Sequence, residues 1–446
     1  MAAKSGTPPG GRGFARGKAL AARAHALIPG GAHTYAKGDD QYPEQAPAFI
    51  VRGQGSHVFD LDGNEFIEYG MGLRAVTLGH AFAPVVDAVR SYLNMGTNFT
   101  RPAPIEVACA ERFLELVPTA QMVKFAKDGS DALDGAVRLA RAYTHRDFVA
   151  ICADHPFFST SDWFIGSTPM AAGVPAFVRE HTVKFRYNDL RSVEELFAAH
   201  PGQVACVVLE PARLDDPAPG FLGGLKALCD SHGALLVFDE MITGFRWHRS
   251  GAQFLYGVTP DLSTFGKALA NGFSLSALAG RRDVMELGGY DHDHERVFLL
   301  STTHGAEMLT MAAGIATMEY YRDHDVVGRL HAQGRRLREG VSAAAAAAGV
   351  ADFVQCVGRD CGLLYTTRDL DGKPSQAFRT LFLQEMIHHG ILAPSFVVSY
   401  SHSDDDIDRT VDAVAAALRV YRRALDDGVE RYLVGRPVKP VFRPFR

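Results

Sequence analysis

Apolar and polar positions alternate along residues 56–70, SHVFDLDGNEFIEYG, on either side of Asp62-Gly63. A period of two marks half-buried strands, and Asp-Gly favours a tight turn, so a β-hairpin is predicted there. From about residue 80 the period lengthens. APVVDAVRSYL and IEVACAERFLELV carry apolar residues three and four apart, the spacing of one helix face. MVKFAK is strand-like and runs into DGSDALDGAVRLARAYT, which reads as a helix. The apolar runs FVAICA and QVACVVLEP precede a helix, FLGGLKALCDSHG, and another strand, ALLVFDEM. Apolar strands alternating with helices predict an α/β fold, a mostly parallel sheet sandwiched between helices. After the long helix GAEMLTMAAGIATMEYYRD, the chain from about 330 reads as a smaller α+β unit. Its alanine tract, SAAAAAAG, ends a helix at Gly349.

The 446 residues are 47% hydrophobic and 22% charged, enough to bury one large core and a second, smaller one. The formal net charge of −5 is spread with both signs interspersed, which points away from nucleic acid and from a membrane surface. No apolar run approaches the ~20 residues of a membrane span. The first residues, MAAKSGTPPGGRGFARGKALAAR, are basic and Gly/Pro-rich without the apolar stretch of a secretory signal, so a cytoplasmic protein is expected. Residues 1–20 are read as disordered, and 21–79 as an N-terminal segment that carries the hairpin and joins the small domain. Residues 80–329 are read as the large α/β domain and 330–446 as the C-terminal small domain. The cysteines form no CxxC pair and several lie inside apolar runs, as reduced core thiols do.

In open parallel sheets, ligands bind at the carboxyl ends of the strands. Three candidate sites fall there: Gly129, Ser130 and Asp131 after MVKFAK, Glu210 after ACVVL, and Asp239 after LLVF. Glycine, serine and a helix start directly after a strand make an anion cradle of backbone N–H groups. An N-cap at Ser130 or Asp131 accounts for the same letters. Asp239, ending a buried run, needs either a capping role or a cationic partner. Lys267, in LSTFGKALANGF, has only small and apolar neighbours. Burial there drives an amine toward its neutral, nucleophilic form. A nucleophilic lysine, a strand-end carboxylate and a phosphate cradle on one sheet together suit pyridoxal 5'-phosphate. Its aldehyde takes a lysine Schiff base, its ring nitrogen a carboxylate and its phosphate an anion site.

The stretches VVLEPA, LLVFDEMITGFR, GAQFLYGVTPDLSTFGKALANGFSLSALAGRRDVM and STTHGAEMLTMAAG resemble class III pyridoxal-phosphate aminotransferases. The branch they most resemble is that of glutamate-1-semialdehyde 2,1-aminomutase and its relatives. RAHALIPGGAHTYAKGDD and GILAPSFVVSYSHSDDDID are similar to the same branch, so the likeness runs from Arg23 past Asp408. It implies a fold-type I homodimer with shared active sites and small-molecule amine and carbonyl substrates. Lys267 matches the lysine that anchors the cofactor and shuttles protons, and Asp239 matches the partner of the ring nitrogen. Met241 stands where the family has a valine against the ring. Gly129 and Ser130 match the phosphate turn, and Asp131 follows them. Thr303 matches a threonine that reaches the phosphate of the neighbouring subunit, and Glu210 an acid near the cofactor's phenolic oxygen.

Two departures shape the functional expectation. Where the family has its ring-stacking tyrosine, this chain reads CADHPFFSTSDWF; Phe157 is assigned to the stacking position and His155 is the alternative. The aminomutases carry an arginine for the substrate carboxylate after PGG, whereas here PGGAHTYAK offers Tyr35 and Lys37. Lysine lacks the planar fork that grips a carboxylate on two oxygens. The expectation is therefore a transaminase, moving an amino group between a donor and a keto or aldehyde acceptor, with the intramolecular aminomutase as the alternative. A hydroxylated, sugar-like substrate would suit Tyr35, His33 and His402. His292 and His294 stand two apart in a polar loop, which is not a metal-ligand pattern, and no metal is expected.

Overall fold

Residues 57–68 form the hairpin that the alternation around Asp62-Gly63 predicts, and a further strand precedes it. Strands Ile50–Gln54 (β1), His57–Asp60 (β2) and Glu65–Glu68 (β3) are antiparallel in succession, with His57 opposite Ile67. Asp60 fixes the hairpin turn by accepting from the N–H groups of Asp62 at 3.0 Å and Asn64 at 2.7 Å. A short strand from far along the chain, Ile391–Leu392, adds to β3 in parallel.

This computed structural model describes residues 13–305 and 307–443. The chain forms two units, one from residues up to 71 together with 332–441, the other chiefly from 72–331. The smaller unit sets the four-stranded sheet beside the helices Gln376–His388 and Asp404–Asp427. Its first helix, Ala15–Leu27, corrects the expectation of disorder over residues 1–20 for the part from Ala15 onward. Residues 1–12, on which the rest of that expectation falls, lie outside the described residues.

The larger unit holds seven strands: Met122–Ala126 (β4), Phe148–Cys152 (β5), Thr182–Phe185 (β6), Val204–Leu209 (β7), Leu235–Asp239 (β8), Leu262–Phe265 (β9) and Ser276–Gly280 (β10). Their order is β4-β10-β9-β8-β7-β5-β6. Strand β10 is antiparallel to both neighbours and every other pair is parallel. Successive residues of the central strands feed opposite faces, as the pleat requires. Leu235 and Val237 of β8 pack with Leu133, Ala136 and Ala140 of the helix Gly129–Thr144. Leu236 and Phe238 pack with Val193 and Leu225 on the other side. Each such side chain contributes roughly 1.5–3 kcal/mol by leaving water. With helices over both faces, the edges at the strand ends are where polar side chains gather. All six cysteines are free thiols, five of them buried. Among the described residues no helix is long and apolar enough to cross a membrane.

Candidate active site

Strands β4, β5, β7, β8 and β9 point their carboxyl ends to one edge, and β10 enters there with Ser276 opposite Ala126. Every candidate of the larger unit except Thr303 follows one of these ends. Gly129, Ser130 and Asp131 come after β4, and His155 and Phe157 after β5. Glu210 follows β7, Asp239 closes β8 with Met241 just beyond, and Lys267 follows β9.

The turn after β4 opens the helix Gly129–Thr144. Its N-cap is Asp128, whose Oδ1 accepts from the N–H of Asp131 at 3.1 Å. Asp131 completes the box by accepting from the N–H groups of Lys127 at 3.1 Å and Asp128 at 3.4 Å. The cap is thus Asp128 and not Ser130 or Asp131, the capping alternative that the sequence left open beside the assignment of Asp131 to the cofactor contacts. Its carboxylate is occupied with the backbone. The N–H groups of Gly129 and Ser130, in the first turn, have no intrahelical acceptor and lie at the positive end of the dipole. Ser130 Oγ accepts from Thr160 N–H at 3.1 Å, which draws the loop after β5 over this turn.

Met241 lies between the turn after β4 and the segment that carries the lysine. A Cβ placed on Gly129 would lie 3.0 Å from Met241 Sδ, and one on Gly266 would lie 2.6 Å from the same sulfur. Both glycines are therefore needed for room rather than for turning. Gly266→Ala is expected to destabilise the protein by about 1 kcal/mol through overpacking and to weaken cofactor binding. Met241→Ala in the same chain should reverse most of that loss, and equal melting temperatures for Gly266→Ala with and without it would disprove the contact.

Lys267 has φ of 44°, in the left-handed region, and is partly buried. A non-glycine residue there is strained by about 1–3 kcal/mol, which persists only where the surroundings impose it. Asn271, which ends the turn, is one such constraint. Its amide accepts from Leu78 N–H at 2.9 Å and donates to Gly79 O at 3.0 Å. Burial lowers the Lys267 amine below its ordinary value of 10.5, against the pull of Asp239 and Glu210. Asp239 is pushed up to about 7, first by burial and then by the Glu210 charge, while Lys267 and the Met241 N–H pull it down. That N–H reaches Asp239 Oδ1 at 2.9 Å. Glu210 is raised by burial, and its Oε2 is sealed from solvent with no hydrogen-bond partner.

His155 and Phe157 differ in how firmly they are held. The His155 ring is buried and its Nδ1 accepts from Glu210 N–H at 3.0 Å, so the ring is locked beside the end of β7. Burial and the Arg213 charge lower it to about 3, which keeps it neutral. Phe157 is 43% exposed and packs edge-on to Phe164 at 5.6 Å. Thr303 is exposed and held through its carbonyl by Asn98 Nδ2 at 3.0 Å.

The remaining candidates belong to the smaller unit. Tyr35 is 62% exposed and Lys37 is also exposed, both in the turn after Pro29–Gly31. His402 is 0% exposed, its Nδ1 accepts from Ser399 N–H at 2.9 Å, and its ring lies 4.5 Å from that of Tyr69. A histidine packed this deeply supports the core, which corrects its assignment to substrate binding.

The sequence reading passed over three groups. Glu240 is fully buried and accepts from the N–H groups of Ala252 at 2.8 Å and Gln253 at 2.7 Å, so it supports the loop that follows Asp239. Arg246 is buried and donates to Arg74 O and Thr77 Oγ1, each at 3.0 Å. Arg213 follows Glu210 by three positions, and its charge acts on both Glu210 and His155. The letters LEPAR showed the arginine but not what surrounds it.

The residues present fit pyridoxal phosphate: a lysine with a lowered amine, an adjacent strand-end carboxylate, a helix start with free N–H groups and a buried acid oxygen without a partner.

Comparison with known proteins agrees. The family described as aminotransferase class-III matches residues 39–418. The glutamate-1-semialdehyde 2,1-aminomutase of Roseiflexus castenholzii is 38% identical, covering 93% of this chain and 99% of its own length. Among solved structures, the Sphingopyxis sp. MTA144 FumI protein, in a form carrying pyridoxal phosphate, superposes with a TM-score of 0.85 at 29% identity, over 93% of this chain and 98% of that one. An omega-transaminase from Sphaerobacter thermophilus gives 0.82 at 29% identity, over 91% and 98%.

Proposed function

The chain belongs to the class III aminotransferase family, and from that premise we propose that it is a pyridoxal-phosphate enzyme that shifts an amino group within a single substrate, as an aminomutase does. The observation that carries the catalytic reading is Lys267, strained and with a lowered amine, at the end of β9 beside Asp239 at the end of β8. When bound, pyridoxal phosphate supplies an electrophilic carbonyl and a ring that withdraws electrons from the reacting carbon. Lys267 Nζ, neutral, would anchor that group and would take and return the substrate proton. Asp239, ionised, would hold a proton at the ring nitrogen. Gly129 and Ser130 N–H groups would receive the phosphate, and Met241, His155 and Glu210 are the groups that would border the ring. Tyr35 and Lys37 stay candidates for the substrate, and Thr303 would serve the phosphate of a second copy in a cytoplasmic homodimer.

The curated relatives favour the aminomutase over the transaminase expected from the sequence, since the matching aminomutase spans nearly both chains. The transaminase reading keeps one specific support, the absence of an arginine after Pro29–Gly31, where Ala32, His33, Thr34 and Tyr35 stand. Nitrogen-15 labelling separates the two. Labelled glutamate-1-semialdehyde, with no carbonyl acceptor added, should be converted with its label retained in the presence of unlabelled amine. A requirement for a separate carbonyl acceptor would replace the shift by transamination.

A further inference from the structure

We infer that Arg213 recognises a carboxylate on the substrate, the role that the segment after Pro29–Gly31 lacks a guanidinium to perform. The inference deepens the proposed function and rests on it. Arg213 lies in the loop between β7 and the helix Phe221–His232, at the edge where the site residues converge. That loop is braced along its length by other side chains. Tyr187 Oη donates to Pro211 O at 2.8 Å, Tyr256 Oη to Asp216 Oδ1 at 2.8 Å, and Asn188 Oδ1 accepts from Ala218 N–H at 2.8 Å. Within it, the Arg213 guanidinium takes no part in the bracing. Its Nε is sealed from solvent and donates to nothing among the described residues.

A buried Nε–H left in this way costs stability unless a ligand accepts from it. Glu210 does not do so: no ion pair joins them, and Glu210 Oε2 is itself buried without a partner. Yet Arg213 is near enough for its charge to act on Glu210, His155 and Arg74, so it borders the site. Arg74 and Arg246 add positive charge to the same edge. The planar fork of a guanidinium matches a carboxylate on two oxygens, which Lys37 does not. The substrate class is thus an amine or aldehyde that also carries a carboxylate, rather than an uncharged polyol.

The test is a visible-absorption titration of the cofactor-loaded wild type, Arg213→Gln and Arg213→Lys with 5-aminopentanoate and with pentylamine. The wild type should bind the carboxylate-bearing amine roughly ten- to hundred-fold more tightly. Arg213→Gln should lose that ratio while pentylamine affinity and the dissociation constant for pyridoxal phosphate stay unchanged, and Arg213→Lys should keep part of it. A ratio retained in Arg213→Gln overturns the assignment, and equal affinities in the wild type overturn the substrate class. Weakened cofactor binding in Arg213→Gln would assign the residue to the cofactor instead. Failure of the wild type to respond to either amine would overturn the functional reading beneath the inference.

Discussion

Lys267→Gly is expected to give a folded protein without turnover and with a melting temperature at or slightly above that of the wild type. The loss of activity should be at least about 10⁴-fold, because in the proposed function the same amine serves as nucleophile and proton carrier. The stability gain has two sources. Glycine adopts the left-handed conformation freely, which removes strain of about 1–3 kcal/mol and is partly offset by the greater freedom of the unfolded glycine. It also removes an amine whose folded value lies below the ordinary 10.5. Below that pH the unfolded lysine binds more protons than the folded one, so burial of the amine weakens the cofactor-free protein, and the handicap fades as pH rises toward 10.5. The variant's advantage should therefore be larger at pH 7 than at pH 10. Thermal melts at both values, with borohydride trapping of cofactor read by mass spectrometry, check the claim. A variant clearly less stable than the wild type at pH 7, or one still trapped, refutes it.

Asp239→Asn should lower activity by about 10³-fold while making the cofactor-free protein more stable at alkaline pH. Asparagine retains the oxygen that accepts from Met241 N–H, so the loop geometry is kept. In the folded protein Asp239 holds its proton up to about pH 7, whereas unfolded it releases it near 3.8. Between those values the native state binds more protons, and stability falls as pH rises. Asparagine carries no such proton. The variant's advantage should open between pH 5 and 8 and reach on the order of 1–3 kcal/mol. Cofactor should also stabilise the wild type more than the variant, since in the proposed function only the carboxylate would meet the ring nitrogen as a charge. Urea melts at pH 5 and 8 measure both effects, and a gap that does not widen with pH would disprove them.

The larger fold was legible because its strands differ in kind from its helices. β5, β7 and β8 are short, continuously apolar and buried on both faces, and the helix Gly129–Thr144 repeats its apolar positions at helical spacing. Lys267, Asp239 and Glu210 were legible for a related reason: an ionisable residue ending a buried strand stands out against its neighbours. What stayed hidden depends on contacts across the sequence. The locking of His155 by the Glu210 backbone joins two loops, and nothing in CADHPFF distinguishes a pinned histidine from a neighbouring phenylalanine. Asp131 reads the same whether its carboxylate faces a ligand or caps its own helix. His402 lies in a polar run, and only the packing against Tyr69 shows it to be core.

The smaller sheet has a consequence for how the protein is made. Its β3 strand emerges from the ribosome early, yet its neighbour Ile391–Leu392 follows more than 300 residues later, and Tyr69 N–H must wait for Leu392 O, 2.9 Å away in the finished fold. The residues from β4 to β10, by contrast, are synthesised without interruption. On a growing chain the edge that carries Lys267, Asp239 and the phosphate turn is therefore assembled while β3 still lacks its partner. Cofactor present during synthesis meets that edge first, and its capture would hold the larger unit in place while the late strand arrives.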